Sequence, residues 1–75
     1  MYVDLGHRLG QANALKNLGR VQHALGDLGA ATDTLAEAHA IYVDLGHRLG
    51  QANALKNLGR VQHALGDLGA ATDTL

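Results

Sequence analysis

Residues 2–35 and 42–75 are the same sequence, YVDLGHRLGQANALKNLGRVQHALGDLGAATDTL, joined by AEAHAI at 36–41. The period is 40 residues, so the 75-residue chain holds slightly less than two copies. A repeat of about 20 to 50 residues indicates stacked supersecondary units, each unable to bury its apolar face alone. Letter-for-letter identity fits a very recent duplication or an engineered, idealised repeat, and the second is the expectation.

One repeat reads as two helices parted by Gly26-Asp27. Helix A is expected over 8–25, with Leu15, Leu18, Val21, Gln22 and Leu25 on its packed side and Asn13, Lys16, Arg20 and His23 opposite. Helix B is expected over 28–45. Its Leu28, Ala31, Leu35, Ala38, Tyr42 and Leu45 recur at steps of three and four, an apolar seam for antiparallel packing. Gly26 and Gly46 suit left-handed helix ends, and Asp27 suits an N-cap. Gly19 and Gly59 inside helix A suit a close approach of helix B at Ala31 and Ala71. No alternating pattern is present, so the fold class is all-α. The chain reads as one domain, 1–75: the end of a helix B at 1–5, helix A at 8–25, helix B at 28–45, a second helix A at 48–65, and the start of a second helix B at 68–75.

Composition removes several functions. The chain has no Cys, Ser, Pro, Phe or Trp. Disulfides, thiolate metal sites and a serine nucleophile are excluded, as are stacking platforms built on Phe or Trp. Net charge is −1, which argues against nucleic acid or anionic membrane as a partner. No apolar run nears the roughly 18 residues of a membrane span. A soluble protein is expected, cytoplasmic if natural. Asp33 and Glu37 at i, i+4 form an acid pair on the convex side, but every connection is short and supplies no pocket for general acid–base work. No enzyme activity, cofactor or metal is expected. His23 and His63 are equivalent, yet neither has a second ligand at i+4.

The segment Asn17–Ala38, NLGRVQHALGDLGAATDTLAEA, resembles a tetratricopeptide repeat. Leu18-Gly19 matches the family's Leu-Gly in helix A, and Gly26-Asp27 its inter-helix turn. Ala31 and Ala38 match its small helix B positions, with Leu35 between them. Leu15 stands where the family often has Trp, and Gln22 where it usually has Tyr. The family's closing Pro is absent and helix B runs six residues longer. That form is similar to the 40-residue subtype of bacterial regulatory ATPases and of spindle-orientation adaptors of the Leu-Gly-Asn-repeat kind. Those read Leu-Gly-Asp-Arg at the junction; here it is Leu45-Gly46-His47-Arg48. The resemblance implies a right-handed solenoid with the A helices lining a concave groove, and protein or peptide binding.

Charge is segregated. All six basic residues lie in helix A or its lead-in, and all seven acidic ones in helix B or its caps. The candidate groove residues are Asn13, Lys16, Asn17, Arg20 and His23, then Asn53, Lys56, Asn57, Arg60 and His63. In the resemblance, Asn17 and Asn57 grip peptide backbone. Arg and Lys at this spacing suit ligand carboxylates, so an acidic peptide is one expected partner. The other is a second copy of the chain. Two repeats fall short of the roughly three that a solenoid needs, leaving Tyr2, Leu5, Leu55, Leu58, Leu65, Leu68 and Leu75 as candidate self-association residues. They would act in a homo-oligomer that is head-to-tail or two-fold. Self-association as a structural module is the leading expectation, and an acidic-peptide adaptor the alternative.

Overall fold

A computed structural model describes the backbone of residues 5–73 and the side chains of residues 6–66. It contains three helices, α1 (Leu5–Ala24), α2 (Leu28–Leu45) and α3 (Arg48–Asp73), and no strand among the described residues. The chain is all-α, with α2 packed between α1 and α3.

Both interhelix turns use one device. At the end of α1, Gly26 N–H donates to His23 O (3.0 Å) and Asp27 N–H to Gln22 O (2.9 Å). At the end of α2, Gly46 N–H donates to Val43 O (3.0 Å) and His47 N–H to Tyr42 O (2.9 Å). Each pair closes a helix end through a left-handed residue, and Gly26 (φ 83°) and Gly46 (φ 65°) take that conformation without a Cβ penalty. The residue after each glycine caps the next helix. Asp27 Oδ1 accepts from Ala30 N–H at 3.4 Å, and His47 Nδ1 accepts from Gly50 N–H at 2.9 Å. The imidazole thus supplies the acceptor that caps the start of α3.

The same letters behave differently elsewhere. Leu5-Gly6-His7-Arg8 is helical, so α1 starts at Leu5 rather than at residue 8. Gly66-Asp67 is helical too, so α3 runs to Asp73 instead of stopping at 65 and restarting at 68. A hairpin turn gives up continuing helical hydrogen bonds, and only the packing of the returning helix offsets that loss. After Gly26 the returning helix is the 18-residue α2.

The exact repeat makes burial a direct comparison of identical side chains. On α1, Ala12 and Gly19 are buried while Gly10, Ala14 and Val21 are exposed; on α3, Gly50, Ala54 and Val61 are buried while Ala52 and Gly59 are exposed. Helix A therefore has two packing faces. The α1 copy applies one of them to α2, and the α3 copy applies the other. This corrects the expected packed side of helix A. Leu18 and Val21 are 48% and 55% exposed, because they repeat Leu58 and Val61, the residues that α3 packs against the preceding helix B; Leu25 is 79% exposed, and its counterpart Leu65 is exposed as well. Gln22, expected on that same side, is half-buried and its Oε1 has no hydrogen-bond partner.

The core has two parts along α2. Ala12, Ala38, Ile41, Tyr42 and Ala54 form one cluster, flanked by Leu9, Leu15 and Leu45. Ala31, Leu35 and Val61 form the other, flanked by Leu28 and Leu58. Tyr42, Leu35 and Val61 are the largest fully buried side chains, and burial of such a side chain contributes about 1.5–3 kcal/mol. Close approach of glycines admits two of them. A Cβ on Gly19 would lie 2.6 Å from Leu35 Cγ, so Gly19 makes room for Leu35 rather than for Ala31. A Cβ on Gly50 would strike the Tyr42 ring. Gly59 has nothing within 4 Å; Ala71, its expected partner, lies outside the described side chains.

Identical substitutions should therefore act in opposite directions. Gly19→Ala overpacks against Leu35 and should cost about 1–3 kcal/mol. Gly59→Ala meets no neighbour and should gain up to about 1 kcal/mol of helix propensity. Thermal unfolding of the two single variants checks this: Tm falls for the first and rises for the second. Equal shifts of one sign would contradict the two-face account.

Candidate functional site

Lys16 and Arg20 project from the middle of α1, and Lys56 and Arg60 hold the same positions on α3. Because α1 and α3 flank α2, these four cations converge. With Asn53 and Asn57 they line a cleft of about 210 Å³. No carboxylate is among its lining residues. Lys16, Asn53 and Asn57 are half-buried, while Arg20, Lys56 and Arg60 are exposed. Like charges are costly to gather, and here their long stems and solvent keep the heads hydrated. A cleft of guanidinium, ammonium and carboxamide groups offers donors to carboxylates and can hold peptide backbone through its amides.

The other four groove candidates lie elsewhere. Asn13 Oδ1 accepts the Tyr42 hydroxyl, so its role is to tie α1 to α2. Asn17 lines a separate shallow depression with Arg20, Val21 and Ala24. Arg20 therefore borders both recesses. His23 is half-buried and gives its carbonyl to Gly26 at the end of α1. His63 is exposed and is not among the cleft-lining residues. Among the described residues, no group of three or more His, Asp or Glu is placed to hold a metal ion. No described helix is long and apolar enough to cross a membrane.

The self-association candidates also separate. Leu55 and Leu65 are 55% and 43% exposed. Leu58 is partly buried against the Ala31, Leu35, Val61 cluster, so it belongs to the core. The Tyr2, Leu5, Leu68 and Leu75 side chains lie outside those described.

Two side-chain hydroxyls are engaged in structure. Thr32 Oγ1 donates to Leu28 O at 2.8 Å, and Tyr42 is committed to Asn13. Tyr42 is central to several contacts that the sequence did not reveal. Its ring lies 5.5 Å from the His47 ring, tilted by 31°, and its carbonyl accepts from Gln51 Nε2 at 3.4 Å. The available signal was the glycine at 50, one helical turn past the junction, whose missing Cβ leaves room for a ring. Across the convex side, Arg8 pairs with Asp44 at 3.6 Å; an exposed pair of this kind contributes at most about 1 kcal/mol.

A profile of the tetratricopeptide repeat matches residues 11–75. The chain belongs to the tetratricopeptide repeat family. Searches of the curated proteins and of the solved structures returned no match. Membership makes the chain, in general terms, a protein–protein interaction module. In tetratricopeptide terms, the cleft lies between successive A helices, with α2 as the helix B that spaces them.

Burial raises the Tyr42 phenol above its usual 10.0, because desolvation disfavours the phenolate. The unfolded chain releases this proton near pH 10, while the folded chain holds it to higher pH. Between those two points the unfolded state binds fewer protons, so stability falls as pH rises. Below about pH 10 the contribution is complete. Tyr42→Phe should cost about 0.5–1.5 kcal/mol near neutral pH through loss of the Asn13 bond. It should also flatten the alkaline fall in Tm. An equally steep fall in the variant would assign it to other groups.

Proposed function

We propose that the chain is a non-catalytic interaction module that binds an acidic segment of a partner protein in the cleft between α1 and α3. The observation that carries this reading is the cleft lining: Lys16, Arg20, Lys56 and Arg60 with Asn53 and Asn57, and no acid among them. The repeat spaces the Lys-Arg pairs, and the two asparagines come from α3 alone. An extended peptide with carboxylates would meet cations from both helices, with amides available to its backbone. Asn13 and Asn17 are not part of this contact set, so the asparagine contribution is half of what the sequence pattern suggested.

Self-association is a second reading, favoured by one comparison: Val61 is fully buried on α2, while the identical Val21 is 55% exposed. A face shaped for a helix is thus presented without one. The identity of the two repeats also supports an idealised, engineered origin and the 40-residue subtype.

The peptide reading makes a charge-specific prediction. A peptide of alternating Glu and Gly should bind more tightly than its Lys counterpart in a calorimetric or fluorescence titration. Because screening acts over about 10 Å at 0.1 M salt, affinity should drop when salt is raised from about 0.05 M to about 0.5 M. Arg20→Glu combined with Arg60→Glu should remove the preference while leaving helix content unchanged, since both side chains are exposed. Equal affinity for both peptides would defeat the proposal.

A further inference from the structure

We infer that one copy of the chain docks on the next by seating residues 68–75 of one copy on the Leu18, Val21 face of α1 in the other. This rests on the self-association reading and assigns its two surfaces. The contact that carries it is already inside the chain. Leu28, Ala31 and Leu35 of α2 pack with Leu58 and Val61 of α3, and Ala31, Leu35 and Val61 are wholly buried there. Residues 68–75 repeat 28–35 letter for letter, and residues 18–25 repeat 58–65. Each half of a packed interface therefore occurs in the chain a second time.

In its second occurrence the seat is uncovered. Leu18 and Val21 are among the exposed large apolar residues described. Residues 68–73 do not fold back as residues 28–33 do. Residues 28–35 return along α1 and place Leu35 at Gly19, whereas α3 runs straight through Gly66 to Asp73 and Gly59 has nothing within 4 Å. Residues 68–73 therefore continue α3 instead of packing back on it. Charge agrees with the pairing. Residues 67–75 hold Asp67 and Asp73 and no cation, while residues 16–25 hold Lys16 and Arg20 and no carboxylate. The same opposition exists between 27–35 and 56–65 within the chain.

The seat on α1 and the plug, residues 68–75, are different surfaces, so the contact is heterologous. It closes into a ring if the rotation per copy permits and otherwise extends as a filament. A two-fold dimer would instead pair one surface with itself, and the two arrangements respond differently to mixed variants. Val21→Glu blocks the seat and leaves the plug intact. Leu68→Glu blocks the plug and leaves the seat intact. Circular dichroism checks that each variant keeps its helix content.

Light scattering across protein concentration then decides. The unaltered 75-residue chain should exceed its 7.8 kDa mass as concentration rises. Each variant alone should need at least about tenfold more protein to assemble, since a charge placed in an apolar contact is costly. An equimolar mixture should reach twice the chain mass and stop, because only one productive seat and one productive plug remain. If Val21→Glu loses helix, Val21→Ala trims the seat without adding charge and should weaken assembly in the same direction. Assembly that survives both substitutions, or a mixture that stays at the single-chain mass, would overturn these surfaces while leaving self-association itself standing. A helical monomer at every concentration up to high micromolar would remove both.

Discussion

Burial of α2 on two sides is the constraint on which the rest of the structure depends. It is the helix whose seam residues Ala31, Leu35, Ala38 and Tyr42 are all wholly buried. The residues doing the covering are supplied by two copies of one sequence, and each copy uses a different stripe. A helix with apolar residues over much of its circumference fits that arrangement. It follows that a helix A in this chain is half satisfied wherever it has one helix B neighbour. The small residues are as necessary as the large ones. Gly19 admits Leu35 and Gly50 admits Tyr42, so the interaxial distance is set by glycine on both sides of the same helix.

Local sequence and tertiary context can be weighed against each other here because the letters are held constant. Leu-Gly-His-Arg is a turn at 45–48 and helix at 5–8; Gly-Asp is a turn at 26–27 and helix at 66–67. Propensity is the same in each pair, so it cannot be what decides. Glycine and a capping side chain permit the turn at an energetic scale of about 1 kcal/mol. Burial of several side chains at about 1.5–3 kcal/mol each selects it. The turns at 26–27 and 46–47 form where the helices on either side pack against each other. At 66–67 the same glycine remains inside α3 at its modest usual cost.

The parts legible in the sequence were those governed by periodicity alone. The 3-4 seam of helix B holds four of its five buried residues, Ala31, Leu35, Ala38 and Tyr42, and misses Ile41; the Lys-Arg spacing puts Lys16, Arg20, Lys56 and Arg60 around one cleft. Three features were not legible, each because it depends on which neighbour is present. Leu18, Val21 and Leu25 look like core by spacing, but a stripe does not say whether a helix lies against it. Asn13 and Asn53 are the same residue in the same motif. Only the first has a Tyr hydroxyl across from it, and this takes it out of the groove set. His47 is not a usual N-cap residue, yet its imidazole nitrogen accepts from the Gly50 backbone N–H at 2.9 Å.

The two interaction surfaces differ in physical kind, and Arg20 adjoins both. The cleft offers charge and hydrogen-bond donors at the solvent boundary, so its affinity is electrostatic and screened by salt over about 10 Å at 0.1 M. The α1 face offers Leu18 and Val21, whose gain on contact is the removal of apolar area from water, and that gain does not weaken with added salt. Ionic strength thus acts as a selector between them. Low salt favours an acidic ligand in the cleft, while high salt suppresses that ligand and leaves the apolar contact in place. Arg20 couples the two at close range: a carboxylate bound in the cleft lowers the positive potential beside Val21, and an acidic segment arriving at the α1 face finds less attraction there. Under the two proposed readings, the charge segregation of the sequence, basic on A helices and acidic on B helices, would make an acidic cleft ligand and a second copy competitors for one field without requiring that they share a single contact.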